Sequence, residues 1–232
     1  MIGVAIPAHN EEAVLGACLA ALLAAARDPA LQGEAVTVVV VLDSCDDGSG
    51  AVVRAHQPLF AAAGAVLDCI AVDEHCVGAA RAAGARALLA WGARWLAFTD
   101  ADTRVARQWL AAQLALDAVV VCGSVAVDDW SPHAGRADAL RDHFAGTYQD
   151  RDGHRHIHGA NLGVSAAAYQ AAGGFASVPC HEDVLLVQAL ERIGARFAWS
   201  AQPRVFTSAR TDARARGGFG DTLLRMLQGS PA

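Results

Sequence analysis

An α/β fold with a mostly parallel sheet is predicted from three features of the 232-residue sequence. Short apolar runs that are typical of strands alternate with alanine-rich segments typical of helices, in the order β-α-β-α-β-α-β. The strand-like runs are apolar throughout, as in strands that are buried on both faces. Hydrophobic residues make up 54% of the chain, which is enough for one substantial core. Because helices connect the successive strands in this alternating order, right-handed crossovers are expected between parallel strands.

The first half of the chain is regular. Strands are predicted at residues 2–7, 36–42 and 66–72 and from residue 95 to the residues before Asp100, and helices at residues 10–27, 49–63, 77–91 and 107–116. The second strand is the clearest, because it is β-branched and apolar throughout. Acidic residues in the first turn of the first helix interact favourably with its dipole.

The sequence changes character after Ala118. The predicted elements are a strand at residues 119–127, a charged helix-and-loop excursion at 128–155, a short helix ending near 173, a helix at 181–193 and a strand at 196–199. No internal repeat or flexible linker separates the two parts. One domain is therefore expected over residues 1–232, with a regular half at 1–117 and a more variable half at 118–232.

Bulk composition excludes several classes of protein. The net charge of −6 argues against a nucleic-acid partner, which would need a basic face. All basic residues other than histidine are arginine, so a cationic phosphate contact must come from a guanidinium group. The six cysteines form no C-x-x-C pair, and buried thiols are expected. There is no G-x-G-x-x-G after the first strand and no P-loop motif, which disfavours dinucleotide binding and P-loop chemistry.

Membrane insertion is not expected either. The longest strand-like apolar run, at residues 36–42, is too short to cross a bilayer. The first residues lack a basic leader and enter a strand at once, so a cytoplasmic location is expected. A peripheral association with membranes is left open.

Two carboxylates, Asp100 and Asp102, directly follow the fourth predicted strand. Ligands of open α/β sheets gather at the carboxyl ends of the strands, and polar residues also end the first and second strands. Carboxylates this close repel each other unless a cation lies between them, and hard divalent cations prefer oxygen ligands. The alternative is that Asp102 caps the next helix and Asp100 is a solvated turn residue.

Seven short motifs carry a resemblance to a known family. They are IPAHNEE at residues 6–12, LDSCDDGS at 42–49, GAAR at 78–81, TDAD at 99–102, GAN at 159–161, GGF at 173–175 and ED at 182–183. With these motifs in this order, the chain resembles glycosyltransferase family 2. The resemblance implies the GT-A fold, a Rossmann-like sheet flanked by helices, with a nucleotide-sugar-binding half at 1–117 and an acceptor-binding half at 118–232.

The resemblance places the nucleotide against the first two motifs. Pro7, Ala8, Asn10 and Glu11 would line its pocket, with Glu11 reaching the ribose or the base. Asp43 would accept a hydrogen bond from a pyrimidine N–H. The alternatives are a first-turn dipole residue for Glu11 and a turn former for Asp43.

The D-x-D motif would hold Mg²⁺ or Mn²⁺ against the diphosphate of the donor. Asp102 would be the direct ligand, and Asp100 would bind through water or contact the ribose. A departing nucleoside diphosphate gains charge that such a cation stabilises. Arg81 would lie near the base or the phosphates, and a solvated helix face is its alternative.

The acidic pair Glu182-Asp183 would supply the catalytic base, which is Asp183 in inverting members. Inversion needs one carboxylate to take the proton of the acceptor hydroxyl. A helix N-terminal pair stabilised by the dipole is the alternative. Gly159, Ala160 and Asn161 would approach the donor sugar or the acceptor.

Two further contacts are expected from the second half. His158 belongs to a group of loop histidines that we expect to touch the acceptor, because no metal-site spacing accompanies them. Arg210 follows the last predicted strand and is a candidate lid over the diphosphate, with a solvated tail as its alternative.

The function implied is a metal-dependent, inverting, non-processive hexosyltransferase that uses a UDP- or GDP-linked sugar and an unknown acceptor. The Q-x-x-R-W sequence of processive members is absent. Three rivals remain open: a retaining enzyme of the glucosyl-phosphoglycerate synthase type, a nucleotidyltransferase with a similar sheet, and a non-catalytic nucleotide-sugar-binding protein.

Overall fold

Eight strands form one sheet in the computed structural model, which describes residues 1–211. They are β1 (Ile2–Ala8), β2 (Val36–Asp43), β3 (Val66–Val72), β4 (Trp95–Phe98), β5 (Arg104–Val105), β6 (Val120–Ala126), β7 (Leu162–Ser165) and β8 (Phe197–Phe206). Their order in the sheet is β3-β2-β1-β4-β7-β6-β8-β5. The first four strands in this order pair in parallel, and β7 lies antiparallel between β4 and β6.

Seven α-helices accompany the sheet within residues 1–211. They are α1 (Glu12–Ala26), α2 (Ser49–Ala62), α3 (Val77–Ala90), α4 (Trp109–Ala115), α5 (Ala137–Thr147), α6 (Ala166–Ala171) and α7 (Glu182–Arg192). Apolar residues of α1, α2 and α4 pack on one face of the sheet, and those of α3, α6 and α7 pack on the other. The predicted α/β architecture is confirmed.

Strand alternation explains the two cores. Ile2, Val4 and Ile6 of β1 belong to one cluster, whereas Ala5 faces the other. Both faces of the central strands are therefore buried, which is why their sequences are apolar throughout. None of the helices in the described part of the chain is both long and apolar enough to cross a membrane.

The structure differs from the sequence prediction mainly after residue 100. Strands β5 and β7 were not predicted, since two and four residues are too short to show a period. Strand β8 runs to Phe206, well beyond the predicted end at residue 199, because its second part pairs with β5 and β6. Residues 212–232, which the predicted domain includes, lie outside the described residues.

Candidate active site

The carboxyl ends of β1, β2 and β4 share one edge of the sheet, because these strands are neighbours and run parallel. Side chains join the loops that follow β1 and β2. Nδ1 of His9 lies 2.8 Å from the carbonyl oxygen of Asp43. The backbone N–H of Glu11 donates to the Ser49 hydroxyl at 2.9 Å. These two contacts hold the loop after β1 against the segment after β2.

Arg210 joins the loop after β1 to the loop after β4. Its Nη1 and Nη2 donate to the two carboxylate oxygens of Glu11 at 2.9 and 2.6 Å. Nη2 also lies 2.7 Å from Oδ2 of Asp102. The pairing of Arg104 in β5 with Phe206 in β8 brings Arg210 to this position. One guanidinium group therefore faces carboxylates from two strand ends.

Arg81 in α3 is the second arginine of the site, and it is buried. Nη2 donates to Oδ1 of Asp100 at 2.5 Å, and Nε donates to Oε1 of Glu182 at 3.0 Å. Nη1 donates to the carbonyl oxygen of Gly159 at 3.1 Å. The sequence predicts Arg81 near the base or the phosphates, or else on a solvated helix face. In the structure the side chain is buried and donates to three protein acceptors, so it does not lie on a solvated helix face.

The two aspartates of the D-x-D motif have different partners. The turn after β4, in which the Thr103 N–H donates to the carbonyl oxygen of Asp100 at 3.1 Å, separates their side chains. Asp100 contacts Arg81, whereas Asp102 contacts Arg210. The side chain of Asp102 is 13% exposed and that of Asp100 is 34% exposed. Each carboxylate thus has a guanidinium partner of its own.

Asp183 lies in the first turn of α7, beside the buried Glu182. Its Oδ2 accepts the backbone N–H of Gly159 at 2.7 Å, and its Oδ1 accepts the N–H of Val184 at 2.8 Å. These two bonds fix the orientation of the carboxylate. Each oxygen retains a second acceptor position, so Asp183 can take a proton from a bound hydroxyl.

Carboxylates outnumber guanidinium groups in this region, and burial is the main cause of the raised pKa values of two of them. Burial raises the pKa of Asp102 to about 6, against the opposing effect of Arg210 and with further increases from Asp100 and Glu11. Burial also raises the pKa of Glu182, although Arg81 opposes the shift. The site therefore favours additional positive charge.

A divalent metal fits this donor set. Carboxylate oxygens are the ligands that Mg²⁺ and Mn²⁺ prefer, and the carboxylates of Asp100 and Glu11 add negative charge beside Asp102. Within residues 1–211, no three His, Cys, Asp or Glu side chains converge on a complete metal site. The protein would therefore supply one or two ligands, and water or substrate oxygens would supply the others.

Asp43 ends β2, and its carboxylate is surrounded by donors. It accepts the backbone N–H groups of residues 74–76 at 2.8, 3.0 and 3.0 Å. Burial would raise the pKa of this carboxyl, but the three N–H groups and the Ser44 hydroxyl hold it below its usual value. Asp43 therefore fastens the loop after β3 to the end of β2.

The other residues expected at the nucleotide lie close to Asp43. The amide of Asn10 donates to the Asp46 carboxylate at 2.6 Å and accepts the Asp46 N–H at 2.9 Å. Asn10 has a positive φ of 55°. Pro7 is half-buried in β1. Ala8 is buried, and its carbonyl oxygen accepts a hydrogen bond from the Cys45 thiol at 3.3 Å. These contacts order the loops after β1 and β2.

The Gly159-Ala160-Asn161 motif forms a short 3₁₀ helix before β7. The buried Asn161 amide donates to the carbonyl oxygens of Ser124 and Pro203, both at 2.7 Å. Its Oδ1 accepts the indole N–H of Trp109 at 2.8 Å. The Asn161 side chain is thus engaged inside the protein, and Ala160 belongs to the core. Gly159 is the residue of this motif that donates a hydrogen bond to the acidic pair.

His158 contacts Tyr148, a residue that the sequence did not single out. The Tyr148 hydroxyl accepts the Val125 N–H at 2.8 Å and lies 2.9 Å from Nε2 of His158. Which of these two atoms donates depends on the tautomer of the His158 ring. Burial, with His156 and His154, lowers the pKa of His158 to about 3. The only signal for Tyr148 was an aromatic residue within a charged excursion.

Comparison with known proteins gives a family match. The Glycosyl transferase family 2 model matches residues 3–172. No curated protein matches the chain. Among solved structures, S. aureus TarS 1-349 in complex with UDP-GlcNAc superposes with a TM-score of 0.68 at 14% identity, covering 97% of this chain and 65% of that one.

Two further structures have the same fold. The mannosyltransferase PcManGT from Pyrobaculum calidifontis, in complex with GDP-Man and Mn²⁺, has a TM-score of 0.64 at 17% identity, covering 92% of this chain and 58% of that one. Glucosyl-3-phosphoglycerate synthase from Mycobacterium tuberculosis, in complex with Mg²⁺ and UDP, has a TM-score of 0.54 at 16% identity, covering 100% of this chain and 80% of that one. The chain thus spans less than two thirds of TarS 1-349 and of PcManGT.

Proposed function

The chain belongs to glycosyl transferase family 2. We propose that it is an enzyme that transfers one sugar from a nucleotide-sugar donor, with inversion, in a metal-dependent reaction. The observation that carries this proposal is the arrangement of Asp183. Its carboxylate is fixed by two backbone N–H groups and is partly exposed. Arg81 and Gly159 connect it to Asp100 of the D-x-D motif.

In the proposed reaction Asp183 is the catalytic base. It takes the proton of the acceptor hydroxyl as that oxygen forms a bond to the anomeric carbon of the donor. The bond from the anomeric carbon to the diphosphate oxygen breaks, and the diphosphate leaves with the electron pair. Glu182 keeps its buried contact with Arg81 and supports Asp183 from the preceding position.

Mg²⁺ or Mn²⁺ is the proposed cofactor, and it would stabilise the charge that develops on the diphosphate. Asp102 is the proposed direct ligand, and Asp100 the proposed ligand through water or contact of the ribose. Arg210 contacts Oδ2 of Asp102, so it would compete with the metal for this carboxylate. As a lid, Arg210 would contact the diphosphate of the bound donor.

The donor is proposed to be a UDP- or GDP-linked sugar. Pro7, Ala8, Asn10, Glu11 and Asp43 would line its nucleotide pocket. The similarity to structures solved with UDP-GlcNAc and with GDP-Man and Mn²⁺ is consistent with either base.

We propose a division of the single domain, residues 1–232, into two functional halves. Residues 1–117 would bind the nucleotide sugar, and residues 118–232 would bind the acceptor near His158 and Gly159. Transfer of a single sugar is favoured because Q-x-x-R-W is absent from the sequence. A cytoplasmic location is part of the same proposal.

A retaining reaction is the second candidate. It is favoured by the similarity to glucosyl-3-phosphoglycerate synthase, which covers 100% of this chain. A retaining enzyme would not need Asp183 as a base, so the two candidates differ in the stereochemistry of the product and in the effect of Asp183→Asn.

The deciding experiment has two parts. A panel of UDP- and GDP-sugars is tested for metal-dependent hydrolysis or transfer, and the anomeric configuration of the first product is read by NMR. We expect an inverted product, a requirement for Mg²⁺ or Mn²⁺, and loss of transfer in Asp183→Asn. A retained configuration would support the second candidate, and nucleotide binding without turnover would indicate a non-catalytic binder.

A further inference from the structure

A buried guanidinium group connects the two groups of carboxylates in the site. Arg81 reaches Asp100 after β4, Glu182 at the start of α7 and the carbonyl oxygen of Gly159. Gly159 in turn donates its N–H to Asp183. The side chains of Arg81 and Glu182 are 4% and 7% exposed, so the centre of this chain of contacts is buried, whereas Asp100 is 34% exposed.

We propose that Arg81 is a positioning residue, which sets the distance between the Asp183 carboxylate and the D-x-D motif and does not bind the nucleotide. The proposal rests on the proposed function, in which Asp183 is the base. Three of the five guanidinium N–H groups donate to acceptors in the protein, and the side chain is only 4% exposed, so the group would have to move to reach a ligand. Moving the group to a ligand would leave the Asp100 and Glu182 carboxylates without their cation, which is strongly unfavourable for the buried Glu182.

Close packing keeps this arrangement in place. A Cβ at Gly159 would lie 2.5 Å from Nη2 of Arg81. A Cβ at Gly78, one turn before Arg81 in α3, would lie 2.2 Å from the carbonyl oxygen of Ala176 and 3.1 Å from Cβ of Glu182. Glycine at both positions lets α3 approach the loop before β7 and the start of α7. The segments that carry Asp183 therefore have little freedom to shift.

Small displacements matter in a transfer reaction. A base misplaced by about 1 Å can reduce the rate roughly 100-fold without loss of substrate binding. Lysine at position 81 would keep the positive charge but has one nitrogen in place of a planar fork, so it cannot reach all three acceptors. The Arg81→Lys variant therefore tests whether the geometry of the guanidinium group matters apart from its charge.

The test compares Arg81→Lys with Arg86→Lys, an exposed arginine on the same helix. We expect Arg81→Lys to fold and to lower kcat roughly 100-fold, with donor KM and the Kd for UDP or GDP unchanged. Hydrogen exchange should become roughly tenfold faster in residues 158–161 and 182–185, with little change elsewhere. Arg86→Lys should match the wild type in all these measurements.

Three outcomes would overturn the proposal. Nucleotide affinity that falls together with kcat would mean that Arg81 binds the nucleotide. Wild-type kcat in folded Arg81→Lys would exclude a positioning role, and so would wild-type exchange in the two segments. If Arg81→Lys does not fold, Glu182→Gln removes the charge at one end of the contact, and the same loss of kcat and faster exchange are expected.

Failure of the proposed function would look different. A wild-type protein that transfers no sugar from any donor would overturn the proposed function. The exchange measurement needs no turnover, and it would still decide whether Arg81 holds these two segments.

Discussion

Nη2 of Arg210 lies 2.7 Å from Oδ2 of Asp102, so the carboxylate proposed to bind the metal already has a cationic partner. The same guanidinium forms two hydrogen bonds with Glu11, a residue of the proposed nucleotide pocket. If Asp102 binds the metal and Glu11 the nucleotide, as proposed, Arg210 competes with both ligands for these carboxylates. This competition can be measured.

Arg210→Gln should strengthen metal binding in the absence of nucleotide. The variant removes the competing cation, and a partly exposed ion pair contributes about 1 kcal/mol, which corresponds to roughly a fivefold change in affinity. Titration of Mn²⁺ followed by electron paramagnetic resonance measures this directly. Arg196→Gln, which alters an exposed ion pair with Asp117, is the matched control. An unchanged or weaker Mn²⁺ affinity would mean that Arg210 does not compete with the metal.

Asp102→Asn should abolish transfer while leaving the protein at least as stable as the wild type. Burial and the neighbouring carboxylates disfavour the charge of Asp102, as its raised pKa shows, so a neutral amide relieves repulsion. Loss of a direct metal ligand should lower kcat/KM by roughly 100-fold or more, a barrier change of about 3 kcal/mol. Thermal unfolding and transfer assays are run on the same samples. A marked fall in Tm would show that Asp102 is needed for the fold.

The regular half of the fold could be predicted from sequence because its signals are local. An apolar β-branched run such as Val36–Asp43 specifies a buried strand without reference to distant residues. Strand β7 could not be predicted in this way, since its four residues are ordered by pairing with β4 and β6. The length of β8 likewise depends on partners distant in sequence.

The same distinction, between local signals and contacts with distant residues, applies to the candidate site. The motifs identified Asp100, Asp102 and Asp183, because carboxylates at strand and helix ends are visible in sequence. The partners of these residues are not visible, since the contacts of Arg81 and Arg210 join segments that only the folded chain brings together. Asn161 is a further example. The family motif predicts it near the donor sugar or the acceptor, and in the structure its amide donates to two carbonyl oxygens inside the protein, which the sequence does not reveal.

Asp43→Asn should destabilise the protein at neutral pH, by about 1–3 kcal/mol, because the charged acceptor of three N–H groups is lost. The folded pKa of Asp43 is lower than its unfolded value, so its stabilisation is present above the unfolded pKa. It disappears as the pH falls through the folded pKa. Urea unfolding between pH 3 and pH 8 should show the variant and the wild type converging in acid.

Asp117→Asn is the control for that series, since Asp117 is 95% exposed. Its stability should parallel the wild type at every pH. A gap between Asp43→Asn and the wild type that stays constant into acid would show that the Asp43 charge contributes nothing.

Asn161→Ala should cost about 3 kcal/mol or more of unfolding free energy, since three buried partners lose their hydrogen bonds. The Kd for the nucleotide should stay at the wild-type value in the folded fraction. Urea unfolding and calorimetry with UDP or GDP test the two parts separately. A stable variant with weakened nucleotide binding would mean that Asn161 contacts the substrate, as the family motif predicts.

His158→Gln should flatten the acid side of the stability profile. The folded pKa of His158, about 3, is lower than its unfolded value of about 6.5, so between these values the unfolded chain binds more protons. Wild-type stability therefore falls as the pH drops below 6.5, and this residue accounts for up to about 2 kcal/mol at pH 5. The glutamine amide can donate to or accept from the Tyr148 hydroxyl but does not titrate. Urea unfolding at pH 5 and pH 7 should give a smaller difference for His158→Gln than for the wild type, while the exposed His143→Gln should match the wild type. Equal slopes for all three proteins would mean that His158 is not buried in its neutral form.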